Sequence, residues 1–268
     1  MLGAIIGDIV GSRFEFNNIK SKEFVLFDKR KCFETDDTVM TLAVAKSVLE
    51  YLKNPTKLDL NKLTIEKMHI FGRKYPFKGY GGRFSMWLAL GSIEPYNSFG
   101  NGAAMRVSSC GFVANSLEQA KELSKKVTEV THNHPEGLKG AEATVVAIYM
   151  AKNGAKKYEI RDYINKNYYN LDFTLDEIRP TYKFNETCQD TVPQAIEAFL
   201  ESESFEDAIR NAISVGGDSD TLAAITGGIA EAYYGIPEDL KRQALYFLDD
   251  FEKQILEDFY KKISSKTN

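Results

Sequence analysis

The sequence predicts an all-α fold. Apolar residues recur with helical periodicity along most of the chain, and no convincing series of alternating strand patterns is present. The clearest helix is predicted from Asp36 to Leu52, with its apolar residues on one side and Asn54-Pro55 ending it. These observations favour a domain built from many packed helices.

Further helices follow along the chain. The most apolar is predicted from Thr221 to Tyr234, with Gly235 at the expected cap position and Pro237 two residues later. The other predicted helices are Leu117 to Val130, Gly140 to Lys152, Val192 to Leu200, Phe205 to Val215 and Glu238 to Lys262. No linker or low-complexity segment divides them. We therefore expect one compact multi-helix domain over residues 1–268.

Glycines are concentrated in a few short stretches. Gly3, Gly7 and Gly11 have i, i+4 spacing, which in a helix lets two backbones approach closely. Other glycines lie near positions 79–82, 100–102, 216–217 and 227–228. In loops, such glycines supply positive φ or room for a ligand.

The composition limits the classes of partner. Of the 268 residues, 43% are hydrophobic and 27% are charged, which is typical of a folded, water-soluble protein. The formal charge of −4 argues against the broad basic surface that nucleic acids need. We expect a monomer that binds no nucleic acid.

The chain carries no recognisable targeting or membrane segment. Its apolar N-terminus lacks a basic region and is interrupted by Asp8, and no stretch approaches the roughly 20 apolar residues of a membrane span. The three cysteines are scattered, without CxxC spacing or a disulfide framework. These features predict a cytoplasmic protein with reduced cysteines.

Two segments are dense in short oxygen ligands: Thr35-Asp36-Asp37-Thr38 and Asp218-Ser219-Asp220-Thr221. Each opens a predicted helix, so one interpretation is that these residues are simply N-caps. A cap needs only one side chain, however, and each segment places two carboxylates within one turn beside an apolar helix. Like charges there are costly without a compensating cation. Taken together, the two segments favour a metal site.

The ligand types narrow the choice of metal. Carboxylate and hydroxyl oxygens are hard donors that suit magnesium, manganese or calcium, whereas zinc normally recruits His or Cys. The four carboxylates exceed what one magnesium ion usually needs. They fit two ions about 3.5–4 Å apart that bridge a substrate oxygen or a water. The sequence thus predicts a binuclear metal site.

The sequence resembles the ADP-ribosylglycohydrolase family over nearly its whole length. The resemblance depends on six motifs in the family's order: Gly7-Asp8-x-x-Gly11-x-x-x-Glu15, Thr35-Asp36-Asp37-Thr38, Gly79-Tyr80-Gly81-Gly82, Gly100-Asn101-Gly102-Ala103-Ala104-Met105-Arg106, Thr131-His132-Asn133-His134-Pro135 and Gly216-Gly217-Asp218-Ser219-Asp220-Thr221. It implies an all-α fold and hydrolysis of the N- or O-glycosyl bond that joins ADP-ribose to a protein or small-molecule acceptor. It also implies two Mg²⁺ or Mn²⁺ ions held by Thr35, Asp36, Asp37, Asp218, Asp220 and Thr221.

Glu15 matches the family's mobile acidic residue, on a loop that closes over the site. From its neighbours alone the better interpretation is an exposed glutamate beside Arg13. The resemblance implies a role as general acid or base, or as an extra metal contact. The predicted catalytic residues are Glu15, Asp36 and Asp220.

The segment from Asn97 to Gly102 resembles the family's loop for diphosphate and adenosine. Glycines allow backbone N–H groups to approach phosphate, and an aromatic ring can stack on adenine. Phe99 is the candidate for stacking, although a role in the core is the alternative. The predicted substrate-binding residues are Gly81, Gly82, Ser98, Phe99, Gly100, Asn101, Gly102 and His132.

Two other functions use the same residue types. A metal-dependent phosphohydrolase would cut the diphosphate of a nucleotide, and a non-catalytic relative would only bind ADP-ribose or serve structurally. The presence of all six proposed metal ligands and Glu15 argues against the non-catalytic alternative. No motif identifies the acceptor.

Overall fold

The computed structural model describes residues 1–264, and its regular secondary structure is helical. The helices are α1 (Leu2–Gly11), α2 (Asp36–Tyr51), α3 (Leu60–Lys74), α4 (Gly82–Ala89), α5 (Gly102–Met105), α6 (Ser108–Val113), α7 (Leu117–Thr128), α8 (Pro135–Lys152), α9 (Lys157–Asn167), α10 (Leu175–Ile178), α11 (Val192–Leu200), α12 (Phe205–Val215), α13 (Ser219–Tyr234), α14 (Glu238–Leu245) and α15 (Asp250–Ser264). Within residues 1–264 there is no β-strand, and a single isolated bridge joins Gly100 and Thr187. The all-α prediction is confirmed.

Most predicted helices have nearly the predicted bounds, but α8 begins five residues before Gly140, at Pro135. The side chain of His134 caps this helix by accepting a hydrogen bond from the Glu136 amide at 3.1 Å. Pro135 occupies the first helical position, where its fixed φ is favourable. The Gly140 boundary was therefore too late, because a histidine cap is not among the usual start signals.

The single helix predicted from Glu238 to Lys262 is wrong. The structure has two helices there, α14 and α15. Asp249 and Glu252 form reciprocal hydrogen bonds between side chain and backbone, at 2.8 and 2.9 Å, which make a capping box at the start of α15. The apolar periodicity continues across the break because Leu248 is also buried. Apolar periodicity alone therefore did not show where α14 ends and α15 begins.

Helix α13 lies at the centre of the fold. Its residues from Ser219 to Glu231 are all buried, and it packs against α1, α8, α11 and α12. An added Cβ would lie 2.2 Å from the Gly227 oxygen at Gly3, and 2.0 Å from the Ala223 oxygen at Gly7. The close backbone approach predicted from the glycine spacing is confirmed, and it joins α1 to α13.

Cys32, Cys110 and Cys188 are buried and free. None of the helices found in residues 1–264 has the length and apolar character needed to cross a bilayer.

Candidate active site

The two predicted acidic segments lie together in space. Carboxylate oxygens of Asp8, Asp37 and Asp220 lie within 4.8 Å of one another, and so do those of Glu15, Asp218 and Asp220. Asp220 belongs to both groups and therefore joins them. We call the five aspartates the acidic centre, namely Asp8, Asp36, Asp37, Asp218 and Asp220.

Four carboxylates of the acidic centre lie at the N-termini of α2 and α13, and the fifth, Asp8, lies within α1. Thr35 caps α2, and its hydroxyl accepts a hydrogen bond from the Asp37 amide at 3.3 Å. Asp218 occupies the cap position of α13 but makes no side-chain cap bond. Helix N-termini favour negative charge, so both helix dipoles stabilise the carboxylates in part. The N-cap interpretation thus applies to Thr35. It does not account for the carboxylates of the acidic centre.

Asp8 is a functional candidate to which the sequence reasoning gave no role. Its buried carboxylate accepts hydrogen bonds from the Thr35 amide at 2.9 Å and the Thr35 hydroxyl at 2.7 Å. It also accepts from the Thr38 amide at 3.0 Å and from the Thr38 hydroxyl. Asp8 therefore fixes the first turn of α2. A carboxylate within an otherwise apolar helix signals such a role, because it needs buried partners.

The charges of the acidic centre are not balanced by basic side chains. In the described part of the chain, no lysine or arginine nitrogen lies within 4.0 Å of any of the five carboxylates. Burial, followed by the neighbouring negative charges, raises the pKa of Asp36 to about 8. The same two causes raise the pKa values of Asp37 and Asp220 well above their usual range. Such a cluster is unfavourable in its ionised form without cations.

The residues of the acidic centre fit divalent cations. Asp37 Oδ1 is buried and has no hydrogen-bond partner among the described residues. The donors are carboxylates and hydroxyls, which suit Mg²⁺ or Mn²⁺ and not the softer metals. The centre could therefore bind metal ions.

The acidic centre opens into a cavity of about 230 Å³. Most predicted site residues contribute to its wall: Glu15, Asp36, Asp37, Gly81, Gly82, Ser98, Gly100, Asn101, Gly102, His132, Asp218, Asp220 and Thr221. The wall also contains residues that the sequence reasoning did not select, namely Gly79, Arg83, Phe84, Tyr96, Met105, Arg106 and Glu186. The cavity is acidic on one side and has Arg83, Arg106 and His132 elsewhere in its wall.

Thr35 and Phe99 lie outside the cavity wall. Thr35 is buried, and its hydroxyl donates to Asp8. Phe99 is 40% exposed, so it is not a core residue, and its ring centroid lies 5.1 Å from that of His134. Stacking of Phe99 on adenine stays a prediction.

Glu15 follows a short 3₁₀ helix, Ser12–Phe14, and lies in the cavity wall. Burial raises the pKa of its carboxyl to about 7, and the negative charges of Asp218, Asp8 and Glu186 contribute. Arg13 does not pair with it, because the Arg13 guanidinium lies 3.7 Å from Asp28 and over the Phe14 ring. A carboxyl group with a pKa near neutrality can both donate and accept a proton.

Asn101 connects the glycine loop to the acidic centre. Its side-chain amide donates to Asp218 at 2.7 Å and to Thr191 at 3.2 Å. Its backbone amide donates to the Glu186 carbonyl at 2.7 Å. The loop is therefore held in place from two sides, by the acidic centre and by the segment that contains Glu186.

Comparison with known proteins gives consistent matches. The family model described as ADP-ribosylglycohydrolase matches residues 1–268. ADP-ribosylhydrolase ARH3 of Xenopus tropicalis is 26% identical, with 100% of this chain and 97% of that protein aligned. ADP-ribosylarginine hydrolase Tri1 of Pseudomonas putida is 29% identical, with 88% of this chain and 70% of that protein aligned.

A solved structure gives the same fold. It is described as an ADP-ribosylglycohydrolase-related protein complex, and it superposes with a TM-score of 0.70 at 22% identity. The superposition covers 98% of this chain and 95% of the other. The family model, the curated relatives and the fold of the solved structure all indicate the same family. The chain belongs to the ADP-ribosylglycohydrolase family, as its motifs predicted.

Proposed function

We propose that the protein uses two divalent metal ions to hydrolyse the glycosidic bond between ADP-ribose and an acceptor, releasing intact ADP-ribose. The main support is the acidic centre: four of its five aspartates are buried, four line the cavity together with Glu15, and none has a basic partner within 4.0 Å among the described residues. The acceptor belongs either to a modified protein or to a small molecule.

The proposed metal ligands are Thr35, Asp36, Asp37, Asp218, Asp220 and Thr221. When bound, Mg²⁺ or Mn²⁺ ions supply Lewis-acid stabilisation of negative charge on substrate oxygens. Asp8 lies close enough to take part, but its carboxylate already accepts four hydrogen bonds from Thr35 and Thr38. We therefore assign it to holding the first turn of α2.

The protein's own groups bind the substrate and move a proton. The backbone N–H of Gly102, which donates to no group among the described residues, binds the diphosphate, because glycine allows close approach. Glu15 either protonates the departing acceptor or takes a proton from the attacking water, for which a pKa near 7 is suitable. Asn101 fixes the position of the loop relative to Asp218 by its hydrogen bond to that carboxylate.

Product analysis tests the proposed reaction. The protein and Mg²⁺ would be incubated with ADP-ribose linked to arginine, serine, a nucleobase and small molecules, and the products separated by chromatography. The proposal expects intact ADP-ribose from at least one linkage. AMP together with a phosphoribosylated acceptor would identify a phosphohydrolase instead. Binding of ADP-ribose without turnover of any substrate would identify a non-catalytic relative.

Chelation tests the need for metal. Because all proposed ligands are hard oxygens, excess chelator should abolish turnover, and magnesium or manganese should restore it better than zinc. Full activity in excess chelator would contradict the proposal.

A further inference from the structure

Arg106 is a buried cation without an acidic partner. Its residue is 1% exposed, and within residues 1–264 no carboxylate oxygen lies within 4.0 Å of its guanidinium. Its Nε is buried without a hydrogen-bond partner. Burial of an unpaired charge costs free energy. Arg106 lies in the cavity wall, which suggests that its charge serves the site.

The hydrogen bonds of Arg106 lead to a histidine. Arg106 Nη2 lies 2.7 Å from Thr131 Oγ1 and 3.3 Å from His132 Nδ1. Thr131 Oγ1 in turn lies 2.8 Å from the same Nδ1. Since a guanidinium can only donate, the contact with Nδ1 is favourable only if that nitrogen accepts. The Thr131 hydroxyl, which accepts from Arg106, is then free to donate to Nδ1 as well.

The other ring nitrogen faces the cavity. A Cβ added at Gly102 would lie 3.4 Å from His132 Nε2, and one at Gly100 would lie 3.7 Å from it. Both glycines and His132 contribute to the cavity wall. Nε2 has no hydrogen-bond partner in the described chain, so it is available to a ligand.

We propose that Arg106 and Thr131 are positioning residues that hold His132 as the neutral Nε2–H tautomer, so that His132 presents a hydrogen-bond donor to the substrate in the cavity. The inference rests on the proposed function in one respect: an oxygen of ADP-ribose is taken as the acceptor of the hydrogen bond from His132 Nε2–H. The tautomer itself is a property of the protein without ligand.

The surroundings of His132 favour this neutral form. Burial, followed by the positive charges of Arg106 and Arg83, holds the pKa of His132 well below its usual range. Tyr96 also packs against it, with its ring centroid 5.9 Å from that of His132. Protonation at Nδ1 would place its N–H against the Arg106 guanidinium, so the ring is expected to stay neutral near pH 7.

Substitutions of His132 test the donor. The amide nitrogen of Gln reaches nearly the position of Nε2, whereas that of Asn reaches only the position of Nδ1. H132Q should therefore bind ADP-ribose within about tenfold of the parent, and H132N roughly 10- to 100-fold more weakly, as expected for loss of one hydrogen bond to a charged ligand. Calorimetry with ADP-ribose measures both. Equal affinities of H132Q and H132N would overturn the proposed donor.

Nitrogen-15 NMR of His132 tests the positioning roles directly. In the full-length protein without ligand, the spectrum should show a protonated Nε2 and an unprotonated Nδ1 from pH 5.5 to 8. T131V removes the hydroxyl with little change in shape, and R106M removes the charge. Each should produce a mixed or titrating ring, whereas the matched control T131S should keep the parent spectrum.

An Nδ1–H tautomer in the parent protein, or an unchanged spectrum in both T131V and R106M, would overturn the proposal. If R106M does not fold, T131V and the parent spectrum still decide it. The NMR result does not depend on turnover, so a failure of the proposed hydrolase activity would be distinguished from a failure of this inference.

Discussion

The Thr221 hydroxyl donates a hydrogen bond of 3.2 Å to Asp37 Oδ2, although the two residues lie 184 positions apart. This bond connects the first turns of α13 and α2. Helix α1 connects the same two turns a second time, since Asp8 binds Thr35 and Gly11 packs against the Asp220 backbone. Three helices therefore build one acidic centre.

Substitutions of Asp37 and Asp220 should give strongly non-additive losses of turnover. If both carboxylates hold the same pair of ions, D37N and D220N should each lower kcat by at least roughly 10²-fold, and the double variant should be hardly worse than the poorer single variant. Steady-state kinetics measure the losses. Losses that multiply would mean that the two clusters act independently.

Replacing Glu15 by glutamine should separate chemistry from binding. If Glu15 moves a proton, E15Q should lower kcat by roughly 10²-fold or more, while calorimetry still detects ADP-ribose binding. Glutamine keeps the size of the side chain but cannot exchange a proton near neutral pH. Unchanged turnover would mean that Glu15 lines the cavity but transfers no proton in the reaction.

The stability of the metal-free protein should fall as the pH rises from 5 to 8. Burial raises the pKa values of Asp8 to about 6 and Asp36 to about 8, so folding favours their protonated forms. The contribution of these two groups to the free energy of unfolding is fully present below their pKa of about 4 in the unfolded chain. It is lost as the pH rises through their pKa values in the folded protein.

Magnesium should reverse this dependence, because metal ions compete with protons for the carboxylates. Scanning fluorimetry should show a larger increase in Tm with Mg²⁺ at pH 8 than at pH 5. The variant D36N should show a shallower fall without metal, since it lacks one of the titrating groups. Equal stabilisation by Mg²⁺ at both pH values would contradict the account.

Gly7→Ala should destabilise the fold, because the new Cβ would lie 2.0 Å from the Ala223 carbonyl oxygen. The clash involves backbone and can be relieved only by separating α1 from α13. We expect a loss of about 3 kcal/mol, near the upper end for overpacked cores. Thermal unfolding measures it. Gly82→Ala is the matched control, since no atom lies within 4 Å of its added Cβ, and its Tm should be unchanged.

Local signals in the sequence predicted much of the fold. The helices Val192–Leu200 and Phe205–Val215 have the predicted bounds because Pro193 lies in the first turn of one, Ser204 caps the other, and both have regular apolar spacing. The break between α14 and α15 was not predicted, because buried Leu248 continues the apolar pattern through it. The capping box of Asp249 and Glu252, which marks the break, stands within a run of charged residues that resembles an ordinary helix surface.

The site residues that the sequence predicted are those in the acidic segments and the six motifs. Asp37 and Asp220 were selected because two dense acidic segments are unusual at helix starts. Arg106 stands in one of the six motifs but received no role, and Glu186 stands in none, since their places in the cavity wall depend on partners elsewhere in the chain. Only the fold brings those partners together.

The most direct test of a single binuclear site is the electron paramagnetic resonance spectrum of the protein loaded with Mn²⁺. Two manganese ions about 3.5–4 Å apart, as in other two-metal sites, interact magnetically. A single binuclear site should give two bound ions per chain and the spectrum of a coupled pair. A spectrum of isolated Mn²⁺ ions at full loading would contradict it.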